Sequence, residues 1–171
     1  MFIYFASGTG DFLEQLKNKY SNEHMILLHG EGNAVLIHET EGKSVFATPR
    51  QFEVIDAVND LEEQGFFVCN NIPVTDEGRP VFEHRFLNRA RAIENEPGFI
   101  AFRLLRPIKE DTYIVMTQWN GPHSFEAWKN SQAFKNAHAE RQESVGANPQ
   151  TIFSAASYVT TYNVVQPEDT K

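Results

Sequence analysis

The sequence predicts an α+β fold built from two ferredoxin-like halves. Short apolar runs with period-two alternation interleave with amphipathic stretches in the order strand, helix, strand, strand, helix, strand. That order occurs twice, changing over near residues 62–65, where nothing resembles a long flexible linker. A chain of 171 residues, 41% hydrophobic, is long enough for two small units sharing a core.

In the first half, 1–63, residues 2–6 (FIYFA) read as a strand and 11–20 as a helix. Strands at 25–30 and 34–39 follow across a Gly-containing turn, then a short strand at 44–47 and a helix at 51–61, whose start suits Thr48 and Pro49. The second half, 64–166, reads as a strand at 65–74, a helix at 79–95, strands at 99–107 and 112–119, helices from Ser124 to about Gln142, and a last strand at 157–165. Residues 167–171 form a polar tail. Such a half covers one sheet face with helices and leaves the other bare, so the bare apolar face must pack on something. Two arrangements satisfy this: the halves cover each other within one chain, or two unrelated domains dimerise through the second sheet.

Charge narrows the function classes. The formal net charge of −8 argues against a nucleic-acid footprint, which needs clustered positive charge. Residues 1–62 hold ten acids and four bases, whereas seven of the eight arginines lie beyond them, so an anionic small molecule is expected in the second half if anywhere. No secretory pattern opens the chain and no apolar run approaches a bilayer's span, so a soluble cytoplasmic protein without membrane insertion is expected. The single cysteine, Cys69, has no internal disulfide partner, and no CxxC or HExxH zinc pattern occurs.

The stretch 124–141 is the richest in chemistry. Phe134 and His138 are four residues apart and share a helix face among Ala133, Ala137 and Ala139. An imidazole beside an aromatic ring in such surroundings can offer one nitrogen to a metal in a flat apolar slot; a core or surface histidine fits the same spacing. Trp128 shares a face with Phe125, and Trp119 at a strand end reads as packing. Alternation puts Asn70, Ile72 and Val74 on one side of a strand and Asn71 on the other. On spacing alone, Asn70 suits a backbone-bonded strand-end amide as well as a functional one. Phe82, Phe86 and Ile93 make an apolar helical stripe with Arg85 and Arg89 beside it. His24, His29, His38, His84 and His123 form no zinc or non-heme iron triad.

The segments NNIPVT, SFEAW and SQAFKNAH, carrying Asn70, Trp128 and His138, resemble those of the IsdG-type heme-degrading monooxygenases, within the broader antibiotic-biosynthesis monooxygenase fold. GRPVFEHRF, ENEPGF, LLRP and SYVTTYNVV extend the likeness to the longer members that carry an extra N-terminal half. The resemblance implies that the halves pack sheet to sheet as an intrachain pseudo-dimeric α/β barrel, with the motif-free first half replacing a partner subunit and the chain a monomer. It implies an enzyme whose heme is both cofactor and substrate, opened by O2 and an external electron donor with release of iron. His138 would be the axial ligand of the heme iron, Trp128 would press the porphyrin out of plane and Asn70 would orient the oxygen. Phe134, Arg85 and Phe86 would line the heme cavity, Arg85 pairing with a propionate. The donor would be an unidentified reductase, since the chain has no dinucleotide fingerprint. A non-heme small-molecule monooxygenase of the same fold and a non-catalytic heme-binding or signalling protein are the rival readings.

Overall fold

A computed structural model of the chain describes residues 1–89, 92–131 and 149–164. Eight strands form one closed antiparallel barrel: β1 (Phe2–Gly8), β2 (His24–His29), β3 (Ala34–Thr40), β4 (Arg50–Val58), β5 (Phe66–Pro73), β6 (Phe99–Ile108), β7 (Thr112–Trp119) and β8 (Tyr158–Val164). Helix α1 spans Gly10–Lys19, α2 Arg79–Leu87 and α3 Pro122–Lys129; a single turn, α4, spans Pro149–Ile152.

The neighbour order around the barrel is β1-β3-β2-β8-β5-β7-β6-β4, with β4 returning to β1. Each half therefore contributes the same four-strand arrangement, β4-β1-β3-β2 and β8-β5-β7-β6. Two seams join them. The β4–β6 seam runs from Gln51↔Ile108 to Val58↔Phe102, whereas β2 and β8 pair only at Leu28↔Val164 and His29↔Asn163. The bare faces of both sheets line the interior, where Ile3, Phe5, Ile26, Phe52, Phe67 and Met116 belong to one buried cluster. Closure leaves no unpaired apolar sheet face between the halves, as the two-half reading requires.

Local chemistry explains the helix bounds. The Thr9 hydroxyl accepts from the Phe12 N–H at 3.2 Å to cap α1, Asp11 opens that helix, and Lys17 and Lys19 close it, each charge matched to the helix dipole. Leu13 drives α1 onto Tyr4, Met25, Leu27 and Leu36. Pro80 lies in the first turn of α2. That helix is shorter than the 79–95 expected, because the Asn88 side chain donates to the His84 carbonyl at 2.7 Å and Arg89 to that of Phe86 at 2.9 Å, satisfying the last turn; only a 3₁₀ turn follows at Ala92–Asn95.

The first half departs from expectation at two places. Residues 51–61, read as a helix, are mostly β4, and residues 41–49 carry no strand or helix, so the strand expected at 44–47 is absent. The reason is tertiary: β1 and β6 both present open edges that only a strand can pair, and the β-branched Val54, Ile55 and Val58 suit it. Val54 joins the interior cluster and Ile55 the outer one, and the register shift between Val54 and Asp56 places Val58 on the outer face with Ile55. The connection to the second half then plugs one barrel end. Leu61 joins the interior core, and Gln118 donates to the carbonyls of Glu62 at 2.6 Å and Gln64 at 2.9 Å. Gly65, at φ +79, closes the corner; a Cβ there would overlap the Trp119 carbonyl.

The charge asymmetry of the two halves is used between them. Arg103 pairs with Glu39 at 2.8 Å, Arg106 with Glu53 at 2.6 Å and Arg89 with Asp56 at 3.2 Å, each arginine from the second half and each acid from the first. Arg103 also donates to the carbonyls of Asn59 and Phe102 at 2.7 and 2.8 Å. Burial pushes the Glu39 carboxyl up, but hydrogen bonds from His24 and Arg103 outweigh it and hold the group at about 2. His24 is raised above its ordinary 6.5 chiefly by its hydrogen bond to Glu39, against partial burial.

The signs fix a pH window. The contribution of Glu39 is complete above its ordinary 4.5 and is lost as pH falls toward about 2; that of His24 is complete below 6.5 and is lost as pH rises through its folded value. Thermal unfolding of wild-type protein should therefore show this network at full strength between the two, and His24→Gln should flatten the decline above 6.5. An unchanged alkaline limb in that variant would remove His24 from the network.

Candidate functional site

The outer face of the second-half sheet lies under α2 and α3. Two aromatic clusters cover it. Phe82 and Phe102 meet Tyr113, Ile72 and Val74 under α2, with Phe86 packed against them; Phe66, Val68 and Trp119 meet Phe125 and Trp128 under α3. Between the clusters stands Asn70, half-buried and in register with Val115 on β7 and Val159 on β8. Val159 is 57% exposed.

The adjacent amides differ sharply. Asn71 points into the barrel, is buried, and its side-chain nitrogen donates to the Cys69 and Tyr158 carbonyls and the Thr160 hydroxyl, each at 3.1 Å. The Asn70 carboxamide faces the apolar outer side and has no hydrogen-bond partner among the described residues. A polar group held on an apolar face without a protein partner is available to a ligand.

The two tryptophans also separate. Trp119 is fully buried, its indole N–H donating to the Thr117 hydroxyl at 2.9 Å, which makes it a packing residue. Trp128 is the half-buried outer member, its ring 5.7 Å from Trp119 and 6.1 Å from Phe125. Its carbonyl accepts from the Ser131 hydroxyl at 2.6 Å and the Ser131 N–H at 2.9 Å, which closes the helix end beneath the ring. Asn70 and Trp128 thus attend the same face. Phe86 joins them from α2 but is committed to packing: it stacks on Phe102 at 6.1 Å and 10°, with the Arg89 guanidinium 4.4 Å from both rings. Arg85, one residue before, is exposed and makes no ion pair among the described residues. Phe134 and His138 lie outside the described residues, as does the tail 167–171.

Other chemistries find less support. Burial pushes the Cys69 thiol up to about 12, only partly offset by Arg50 and Thr160, so it is an inert packing group. Among the described residues no three His, Cys, Asp or Glu side chains group to hold a metal ion, and no helix is long and apolar enough to cross a membrane.

Residues 65–140 match the antibiotic biosynthesis monooxygenase family model. The Signal transduction protein TRAP of Staphylococcus aureus (strain bovine RF122 / ET3-1) is 31% identical over 134 residues, 78% of this chain and 80% of that protein. The chain belongs to the same family as this TRAP protein, and its second half is similar to the antibiotic biosynthesis monooxygenases. Its fold recurs in a major regulator of staphylococcal pathogenesis, with a TM-score of 0.84 at 24% identity over 97% of this chain and 100% of that one. LmHde, a heme-degrading enzyme from Listeria monocytogenes, shares it with a TM-score of 0.71 at 20% identity over 95% of this chain and 99% of that one. At these identities both likenesses concern architecture. The resemblance to heme degraders drawn from the motif residues thus meets a curated relative named for signalling.

The inter-half ion pairs escaped sequence reading, because Glu39 and Arg103 are separated by 64 positions and no motif links them. The second-half concentration of arginine was their one visible signal, and three of those seven arginines serve the seam.

Proposed function

We propose that the chain is a heme-degrading monooxygenase that binds one heme on the outer face of its second-half sheet and opens the porphyrin with O2 and an external reductant, releasing iron. The observation that carries this reading is the unpartnered Asn70 carboxamide between Val115 and Val159, flanked by the Trp128 and Phe86 clusters. Heme supplies the iron that takes up and reduces oxygen, and the ring that is attacked. Asn70 offers two N–H donors where negative charge develops, fixed in advance by its strand. Trp128 holds one edge of a flat ligand against the α3 cluster. Exposed Arg85 supplies a cation for a propionate. His138, assigned by the family resemblance, would hold the heme iron through a ring nitrogen, and Phe134, assigned in the same way, would line the heme cavity.

The first half has no equivalent site. The outward residues of β1, Tyr4 and Ala6, pack under α1 with Leu13 and Leu36, so one heme per monomeric chain is proposed. Light scattering with heme titration tests this; a stable dimer or two hemes per chain contradicts it.

His138→Ala should abolish the Soret band of added hemin while leaving the circular dichroism unchanged, and an unaltered Soret spectrum would remove it as ligand. The second reading, a heme-binding signalling protein, is favoured by the relative named for signal transduction. It predicts a stable heme complex that ascorbate and air do not degrade.

A further inference from the structure

We infer that the first half carries a second active site, a serine hydrolase triad of Ser44, His38 and Glu23 that cleaves short-chain carboxylic esters. It lies on the outer face of the first-half sheet and is independent of the heme reading.

The hydrogen bonds leave one proton arrangement. His38 is fully buried on β3 between the rings of Tyr4 and Phe46, at centroid distances of 6.2 and 5.6 Å. Its Nε2 lies 3.0 Å from Glu23 Oε2 and its Nδ1 2.9 Å from Ser44 Oγ. A carboxylate only accepts, so the neutral ring carries its proton on Nε2 and donates it to Glu23. Nδ1 is then an acceptor, and the group facing it is the Ser44 hydroxyl, which donates. Ser44 Oγ itself accepts the Phe46 N–H at 3.1 Å. Hydroxyl, imidazole and carboxylate therefore form one polarised line, the relation by which triads are recognised whatever their order in the chain. The ring is turned end for end relative to the usual hydrolase arrangement, with Nδ1 toward the nucleophile.

The loop 41–49, which stands where a short strand was expected, presents Ser44 and is anchored by the Tyr4 hydroxyl donating to the Gly42 carbonyl at 2.8 Å. A cavity of about 240 Å³ opens on Ser44, walled by Tyr4, Phe46 and Pro49, with Lys43 also lining it. Its size and apolar walls suit a short acyl chain. The Val45 N–H, next to the nucleophile, makes no hydrogen bond among the described residues and is available to the developing oxyanion. Ser44 Oγ attacks the ester carbonyl while its proton passes to His38 Nδ1, and Glu23 stabilises the imidazolium. The C–O bond breaks, the departing alcohol takes that proton, and acyl-Ser44 remains. Water then attacks it, its proton moving through Nδ1 to Ser44 Oγ, so ester and water yield acid and alcohol without any redox partner.

The test uses the full chain with 4-nitrophenyl acetate and a fluorophosphonate probe. The expected result is a covalent adduct that peptide mass spectrometry places on Ser44, and hydrolysis that falls on the order of 10²–10⁴-fold in Ser44→Ala while circular dichroism shows the folded chain retained. Glu23→Gln should keep the fold and slow acylation. Wild-type hydrolysis in Ser44→Ala, an adduct elsewhere, or no adduct in the wild type would overturn the site.

Discussion

Asn70→Ala should bind hemin with an unaltered Soret band yet degrade it about 10²–10³-fold more slowly, the usual loss when one donor to developing negative charge is removed. The structure makes this substitution unusually clean. Asn70 has no hydrogen-bond partner among the described residues, so truncation breaks no internal bond and the unfolding midpoint should move little. The neighbouring position is the control. Asn71→Ala abandons a buried donor's three acceptors and should cost about 1–3 kcal/mol of stability while leaving the chemistry of the outer face in place. Single-turnover decay with ascorbate, set beside chemical denaturation, separates the two. Wild-type turnover in Asn70→Ala would sink the role assigned to its amide.

Arg103→Met is expected to be the most destabilising single change, about 3–5 kcal/mol, because it leaves the nearly buried Glu39 carboxylate with His24 as its remaining charge partner and frees the carbonyls that Arg103 satisfies. Arg103 is only 4% exposed, and it also satisfies the carbonyls of Asn59 and Phe102 where the halves join. Urea unfolding measures the loss. Adding Glu39→Leu should recover part of it by removing that carboxylate, and a double variant no better than the single would show that Arg103 acts through the carbonyls alone.

Most of the second half was readable because its strands alternate cleanly and its turns carry Gly and Pro; β5, β6, β7 and β8 fall where periodicity puts them. The opposite facing of Asn70 and Asn71 was readable for the same reason. What separates their roles was not, since three acceptors for Asn71 come from two strands, one of them 87 positions away. Residues 51–61 misled because Phe52, Val54, Ile55 and Val58 fit a helical stripe as well as a bulged strand, and only the open edges of β1 and β6 decide between them. The barrel itself followed from the bare sheet faces and the family resemblance, whereas its seams, one long and one of two residue pairs, depend on register that no local signal encodes. His38 shows the same limit: its partners Glu23 and Ser44 lie on either side of it in sequence, without any motif spacing.

Addition of one equivalent of hemin to the purified chain, followed by ascorbate in air with an iron chelator present, tests the central claim most directly. Heme degradation by this chain predicts a Soret band that saturates at one heme per chain and then decays as chelatable iron appears. A chain that forms no Soret band, or whose band persists under ascorbate and oxygen, would contradict it.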